Sequence, residues 1–110
     1  MKLFHPSRDE IELPAVLHAL SDPQRLHIVQ LLAERDTPVP CGSLALPVTK
    51  STATHHFRVL REAGVIHQVQ TGTSKLTTLR RSDLDARVPG LLDAVLAASP
   101  ARPATGAAAA

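Results

Sequence analysis

The sequence predicts a mostly α-helical domain with a β-hairpin wing, a winged helix-turn-helix that works as a dimer. Three observations predict it. Apolar residues recur at helical spacing in separated stretches divided by Pro, Gly and Asp. A helix rich in hydroxyls and bases is followed directly by a Val/Thr/Ile hairpin. The first and last helices each carry an apolar stripe wider than one small core absorbs. At 110 residues the chain is one domain by size. A chain this short leaves much surface exposed when alone, so a dimer interface adds burial.

Taken in order, residues 1–12 are polar and expected to form a flexible arm. The domain itself should span 13–98. Leu13, Val16, Leu17 and Leu20 follow the i, i+3, i+4, i+7 pattern of an amphipathic helix, with Pro14 in its first turn. Asp22 is a good N-cap and Pro23 a good first residue for a second helix, reaching to about Glu34. Leu26, Ile28, Val29, Leu31 and Leu32 surround most of it, which predicts the central core helix. Residues 36–49 hold three prolines and a glycine and allow only short or irregular helix.

Lys50–Ala63 is the next clear helix, stopped by Gly64. Two strands, Val65–Thr71 and Thr73–Leu79, flank a turn at Gly72. Ser82 is expected to cap a short helix, and a final helix should run from Pro89 to about Ala98. The tail, 99–110, is Ala- and Pro-rich and expected to be disordered.

Composition excludes several classes. Apolar residues make up 44% of the chain, enough for a core, but Phe4 and Phe57 are the only aromatics. Base stacking on single strands or RNA is therefore disfavoured. The formal charge of +2 decides nothing, but its distribution does. Asp9, Glu10 and Glu12 crowd the start, while Lys50, Arg58, Arg61, Lys75, Arg80 and Arg81 fill the second half. Such local basicity suits phosphate. Cys41, the single cysteine, rules out an intrachain disulfide and an all-cysteine zinc cluster. The opening MKLFHPSRDE is not a signal peptide, and no apolar run approaches the ~20 residues of a membrane helix. These features predict a cytoplasmic protein with no membrane partner. Isolated glycines, and acids that do not cluster with histidines, argue against an enzyme.

Candidate chemistry centres on the helix from Lys50. Ala53, Phe57 and Leu60 should face the core, and Ser51, Thr54, His55 and Arg58 share another face without an acid. Small hydroxyls near a helix N-terminus approach bases or phosphates closely, and Lys50 and Arg58 add charge. From this helix alone an ordinary solvated face fits equally well. The hairpin tips the balance, because its polar tip QTGTSK brings Lys75 to the end of a wing, with Arg80 and Arg81 at the base.

The stretches LHALSDPQRLHIVQLLAE and KSTATHHFRVLREAGVI closely resemble the ArsR family of bacterial metal- and stress-responsive regulators. The SDPxRLxI signature at Ser21–Ile28 matches its opening helices, and His55-His56 with REAGVI matches its recognition helix. The likeness covers about residues 13–80. It implies a transcriptional regulator, a repressor in the usual case, that binds a palindromic double-stranded operator as a homodimer with residues 50–61 as recognition helix. Carried over residue by residue, Lys50, Ser51, Thr52, Thr54, His55 and Arg58 fall on DNA-contacting positions. The dimer would use Leu13, Val16, Leu17, Leu20, Leu91, Leu92, Val95 and Leu96.

Two departures stand out. Gly42 sits where the family's scaffold helix carries an apolar residue, which predicts a short, bent scaffold. The familiar sensor sites are also missing. Pro38 and Pro40 occupy the places of the arsenic-type Cys-x-Cys pair, and no histidine follows His67 for a late-helix zinc or nickel site. A noncanonical nickel or zinc site is conceivable on His5 with Asp9, Glu10 or Glu12, although scattered surface histidines explain the pattern better. His56 should pack against the core edge, and Cys41 should be a small half-buried residue. Regulation would then come from a metal, a small molecule or a co-regulator protein. The rival reading is a protein-interaction or metal-handling module that keeps the fold and acts through a partner protein.

Overall fold

The computed structural model describes residues 3–44 and 46–98; the expected tail at 99–110 lies outside them. Two 3-10 turns, at Arg8–Glu10 and Cys41–Ser43, accompany eight elements. These are α1 (Leu13–Leu20), α2 (Pro23–Ala33), β1 (Val39–Pro40), α3 (Lys50–Ala63), β2 (Ile66–Thr71), β3 (Ser74–Leu79), α4 (Arg81–Arg87) and α5 (Leu91–Ala98). The winged helix-turn-helix is present, with more sheet than predicted. Val39 and Pro40 pair with Thr77 and Leu76, so the sheet is antiparallel in the order β1-β3-β2. No helix among the described residues is long and apolar enough to cross a membrane.

Local signals account for most boundaries. Asp22 caps α2 by accepting from the amides of Gln24 and Arg25 at 2.8 and 3.1 Å, with Pro23 in the first turn. Thr49 caps α3 by accepting from the Thr52 amide at 3.2 Å. Gly64 ends α3 at φ +88°, a left-handed conformation that glycine adopts freely. Gly72 turns the hairpin at φ +61°, the sign that a II′ turn requires of its first central residue. Two boundaries differ from expectation. α4 begins at Arg81, ahead of Ser82, and Arg80 rather than Ser82 holds the cap position. α5 begins at Leu91, after Gly90 at φ +82°.

The core joins α1, α2 and α3 to the sheet and to α4 and α5. Ile28, Val29, Leu60, Val65 and Ile66 have no exposed surface. The predicted stripe of α1 divides in two. Val16 and Leu20 are buried in this core, while Leu13 and Leu17, one turn apart, stay about half exposed. Leu92 is buried as well, and Leu91, Val95 and Leu96 are half-buried against the core. Val16, Leu20 and Leu92 therefore belong to the protomer's own core, not to an interface patch as expected.

The N-terminal segment is also a correction. In place of a loose arm, residues 3–12 lie against the body. Pro6 is buried and Ile11 is 1% exposed. Three arginines, one buried, one half-buried and one exposed, grip the segment. Arg61 donates to the Phe4 carbonyl, Arg80 to that of Pro6, and Arg87 to that of Ile11.

Candidate nucleic-acid interface

α3 presents its two faces as its spacing requires. Phe57 and Leu60 are buried and Ala53 is half-buried. Lys50, Ser51, Thr52, Thr54, His55 and Arg58 are all exposed. Hydroxyls crowd the helix start. Thr49 Oγ1 donates to Thr52 Oγ1 at 2.9 Å and lies 3.3 Å from Ser51 Oγ. Thr54 Oγ1 donates to the Lys50 carbonyl at 3.0 Å. Its one proton is thereby used, so this hydroxyl meets solvent as an acceptor.

What aims this face is the neighbouring residue, His56, buried at 8% exposure. Arg25 of α2 donates from Nη1 to His56 Nδ1 at 3.2 Å. A guanidinium can only donate, so Nδ1 is the acceptor and the imidazole proton sits on Nε2, 3.8 Å from Asp22 Oδ2. The same Arg25 donates to the carbonyls of Ala19 and His18 at the end of α1, at 2.8 and 3.2 Å. Ser21 Oγ donates to the His18 carbonyl too, at 2.7 Å. The SDPxR run is thus a joint: Ser21 and Arg25 close α1, Asp22 and Pro23 open α2, and Arg25 reaches across to α3. Burial pushes the Asp22 carboxyl up, but the amides of Arg25 and Gln24, with His56 nearby, hold it below its ordinary value. Arg25 precedes the buried Ile28, Val29 and Leu32 by three, four and seven residues, so helical spacing places it on the core-facing side of α2 although its charge argues for the surface.

The wing pairs Gln70 with Lys75 and Thr71 with Ser74. Gln70 Nε2 braces the tip by donating to the carbonyls of Gly72 and Ser74 at 2.9 and 3.3 Å. At its root lies a buried polar chain. Arg61 donates to Gln68 Oε1 at 2.9 Å, and Gln68 Nε2 donates to Cys41 Sγ at 3.0 Å and Thr77 Oγ1 at 3.2 Å. Cys41 is half-buried, as expected. Arg61 and Gln68 were not foreseen as partners, although Arg61 follows Phe57 by one helical turn on the core side.

α3, the Cys41–Ser43 turn and the wing enclose a cleft of about 450 Å³ that includes Lys50, Thr54, Arg58 and Lys75. Of the predicted DNA contacts, Lys50, Thr54, Arg58 and Lys75 therefore come together at this cleft, while Ser51, Thr52 and His55 lie outside its lining. Arg80 does not join them. It makes bonds of 2.9 and 2.8 Å to Asp83 and one of 2.8 Å to the Pro6 carbonyl, with its side chain 10% exposed. Its predicted phosphate role is corrected, because its donors are spent inside the fold.

The candidate metal site on His5, Asp9 and Glu10 is corrected likewise. His5 Nε2 accepts from the Gln68 amide at 2.9 Å, so Nδ1 carries the proton toward the Leu3 carbonyl at 3.1 Å. Glu10 accepts from the Ser7 amide. Both ring nitrogens are occupied, and His5 instead stacks on His67 with ring centroids 4.3 Å apart. Among the described residues no three His, Cys, Asp or Glu side chains form a group able to hold a metal ion.

Comparison with known proteins agrees with this geometry. Residues 20–69 match the family described as a helix-turn-helix domain. The chain is 32% identical over 80 residues to the HTH-type transcriptional regulator YceK of Bacillus subtilis, covering 71% of this chain and 80% of that relative. A crystal structure of an ArsR family transcriptional regulator superposes with a TM-score of 0.62 at 21% identity, covering 76% of this chain and 87% of the other. The transcriptional repressor BigR from Xylella fastidiosa gives a TM-score of 0.61 at 23% identity, covering 81% and 87%. The chain belongs to the helix-turn-helix transcriptional regulators, which bind DNA and are not enzymes, and it carries the winged fold of ArsR-type structures.

Proposed function

We propose that this chain is a cytoplasmic repressor that binds a palindromic operator as a homodimer, reading sequence with α3 and gripping the backbone with the wing. The carrying observation is the exposed face of α3. It offers hydroxyls, His55 and two cations, and the described residues pair neither Lys50 nor Arg58 with a carboxylate. Thr54, left as an acceptor, suits an amino group on a base edge, such as adenine N6 or cytosine N4. Lys50, Arg58 and Lys75 suit phosphates. A protein-binding face would favour apolar anchors, and the exposed large hydrophobics Phe4, Leu13, Leu17 and Val69 all lie off α3.

Leu13 and Leu17 on α1, with the half-buried Leu91, Val95 and Leu96 on α5, are the surface proposed for the second copy. Half-sites would then lie about one helical turn, ~34 Å, or a multiple apart. Fluorescence anisotropy with DNA from upstream of the chain's own gene tests this reading at two salt concentrations. Specific binding should weaken with salt, by a slope of about 0.9 per phosphate contact. Leu13→Asp with Leu17→Asp should give monomers that lose the operator. Binding indifferent to salt, or a monomeric parent chain, refutes the proposal.

A further inference from the structure

The cleft between α3 and the wing has features that DNA binding does not require. Its volume of about 450 Å³ falls within the ~300–1,000 Å³ typical of small-molecule sites. Four cations line it, Lys50, Arg58, Arg61 and Lys75, and no carboxylate does. Elsewhere Arg8 and Arg80 meet Asp83, and Arg81 meets Asp93. The cations around this cleft have no such partner among the described residues.

Arg61 is the most telling of the four. It is 9% exposed, and its hydrogen bonds, from Nε to the Phe4 carbonyl and from Nη1 to Gln68, leave Nη2 without one among the described residues. A buried guanidinium with spare donors and no counter-ion favours an anion. Beside it the lining turns apolar at Leu44, Ala53 and Phe57. A phosphodiester at the rim would use the cations and leave that floor bare.

We propose that this cleft binds a small organic anion with an apolar body, an aromatic or aliphatic carboxylate in the simplest case, and that its occupancy excludes operator DNA. The proposal rests on the DNA-binding reading above, because Lys50, Thr54, Arg58 and Lys75 line the cleft and also form the proposed DNA face. A ligand there takes the phosphate-binding cations and lies between the recognition helix and the wing. Induction is then direct competition.

The full chain reports on its own cleft. It has no Trp or Tyr, so the fluorescence of 2-naphthoate is read without background, and Cys41, its single cysteine, lines the site. The experiment measures 2-naphthoate binding by anisotropy, alkylation of Cys41 by neutral iodoacetamide by mass spectrometry, and release of labelled operator. Neutral 2-naphthamide is the control. Expected is saturable naphthoate binding that slows Cys41 alkylation several-fold and releases operator over the same concentration range. The amide should bind about tenfold more weakly or worse, as loss of a charged hydrogen-bond partner implies. Arg58→Gln, at an exposed position, and Lys75→Gln, at a half-buried one without a carboxylate partner among the described residues, should weaken naphthoate binding without moving the thermal midpoint.

Unchanged alkylation under naphthoate, or equal effects of acid and amide, overturns the proposal while leaving operator binding untouched. Failure of the DNA reading looks different. In that case operator is not retained even without naphthoate, although naphthoate still protects Cys41; competition is then refuted and the anion site stands.

Discussion

Gly64→Ala tests how the N-terminal segment is locked to the recognition helix. A Cβ built at Gly64 meets Ile11 Cγ1 at 2.5 Å and Cδ1 at 2.8 Å, and the backbone sits at φ +88°. The left-handed backbone costs an L-residue roughly 1–2 kcal/mol. Ile11 is 1% exposed, so its side chain must shift inside the core, and overpacking adds about 1–3 kcal/mol. The sum, roughly 2–5 kcal/mol, is a large part of the ~5–15 kcal/mol that holds a domain together. With no Trp or Tyr in the chain, urea unfolding is followed by far-UV circular dichroism. At an m-value of about 1.5 kcal/mol/M the midpoint should fall by ~1–3 M. The contact itself is isolated in an Ile11→Ala background, with an osmolyte to hold the folded baseline. There Gly64→Ala should cost about 1–3 kcal/mol less, because the clashing atoms are gone. Additivity within ~0.5 kcal/mol would show that Ile11 and Gly64 do not touch as described.

Arg25→Ala should cost about 2–4 kcal/mol by calorimetry, since it strips charged hydrogen bonds from two carbonyls and His56; rescue by lysine, which lacks the planar fork, would show that bulk charge is enough. Thr54→Ala should relax preference at one operator position by ~1–3 kcal/mol, while Lys75→Ala should weaken all sequences alike; competition binding with base-substituted operators checks both, and the reverse pattern refutes the face assignment. Burial, with help from His67, pulls the His5 pKa below its ordinary 6.5. The folded state thus prefers neutral His5, and this stability is complete above pH 6.5 and declines as pH falls toward the lowered value. The Arg8 hydrogen bond, against some burial cost, holds the Asp83 carboxyl below its ordinary 3.8. A second loss should therefore begin below about pH 4. Urea midpoints across pH should show the upper step in the parent chain and not in His5→Gln.

The helices were legible because their signals are local. Asp22-Pro23, Gly64 and the apolar spacing fix α2 and α3 with no knowledge of the rest of the chain. On α1 the same spacing named a stripe but not its division. Val16 and Leu20 are one i, i+4 pair and Leu13 and Leu17 another, and only the position of α3 decides which turns inward. Charge was less legible. Arg58 and Arg80 look alike as letters, yet one is exposed and the other is spent on Asp83 and Pro6. β1 and the packing of Ile11 depend on partners tens of residues away, so no periodicity announces them. The cleft is of the same kind, since its lining runs from Cys41 to Lys75.

The place of His5 has a consequence for solubility. A three-stranded sheet has two open borders, and each invites a strand from another molecule. On the β1 side the border strand is two residues long and ends in Pro40, which has no amide hydrogen to offer. On the β2 side, where Val69 is exposed, the Gln68 amide is already taken by the His5 imidazole. One side chain stands where an incoming strand would place its carbonyl. A strand added on that side would have to displace the imidazole, and protonation of His5, which turns its Nε2 from acceptor to donor, would give up the same contact.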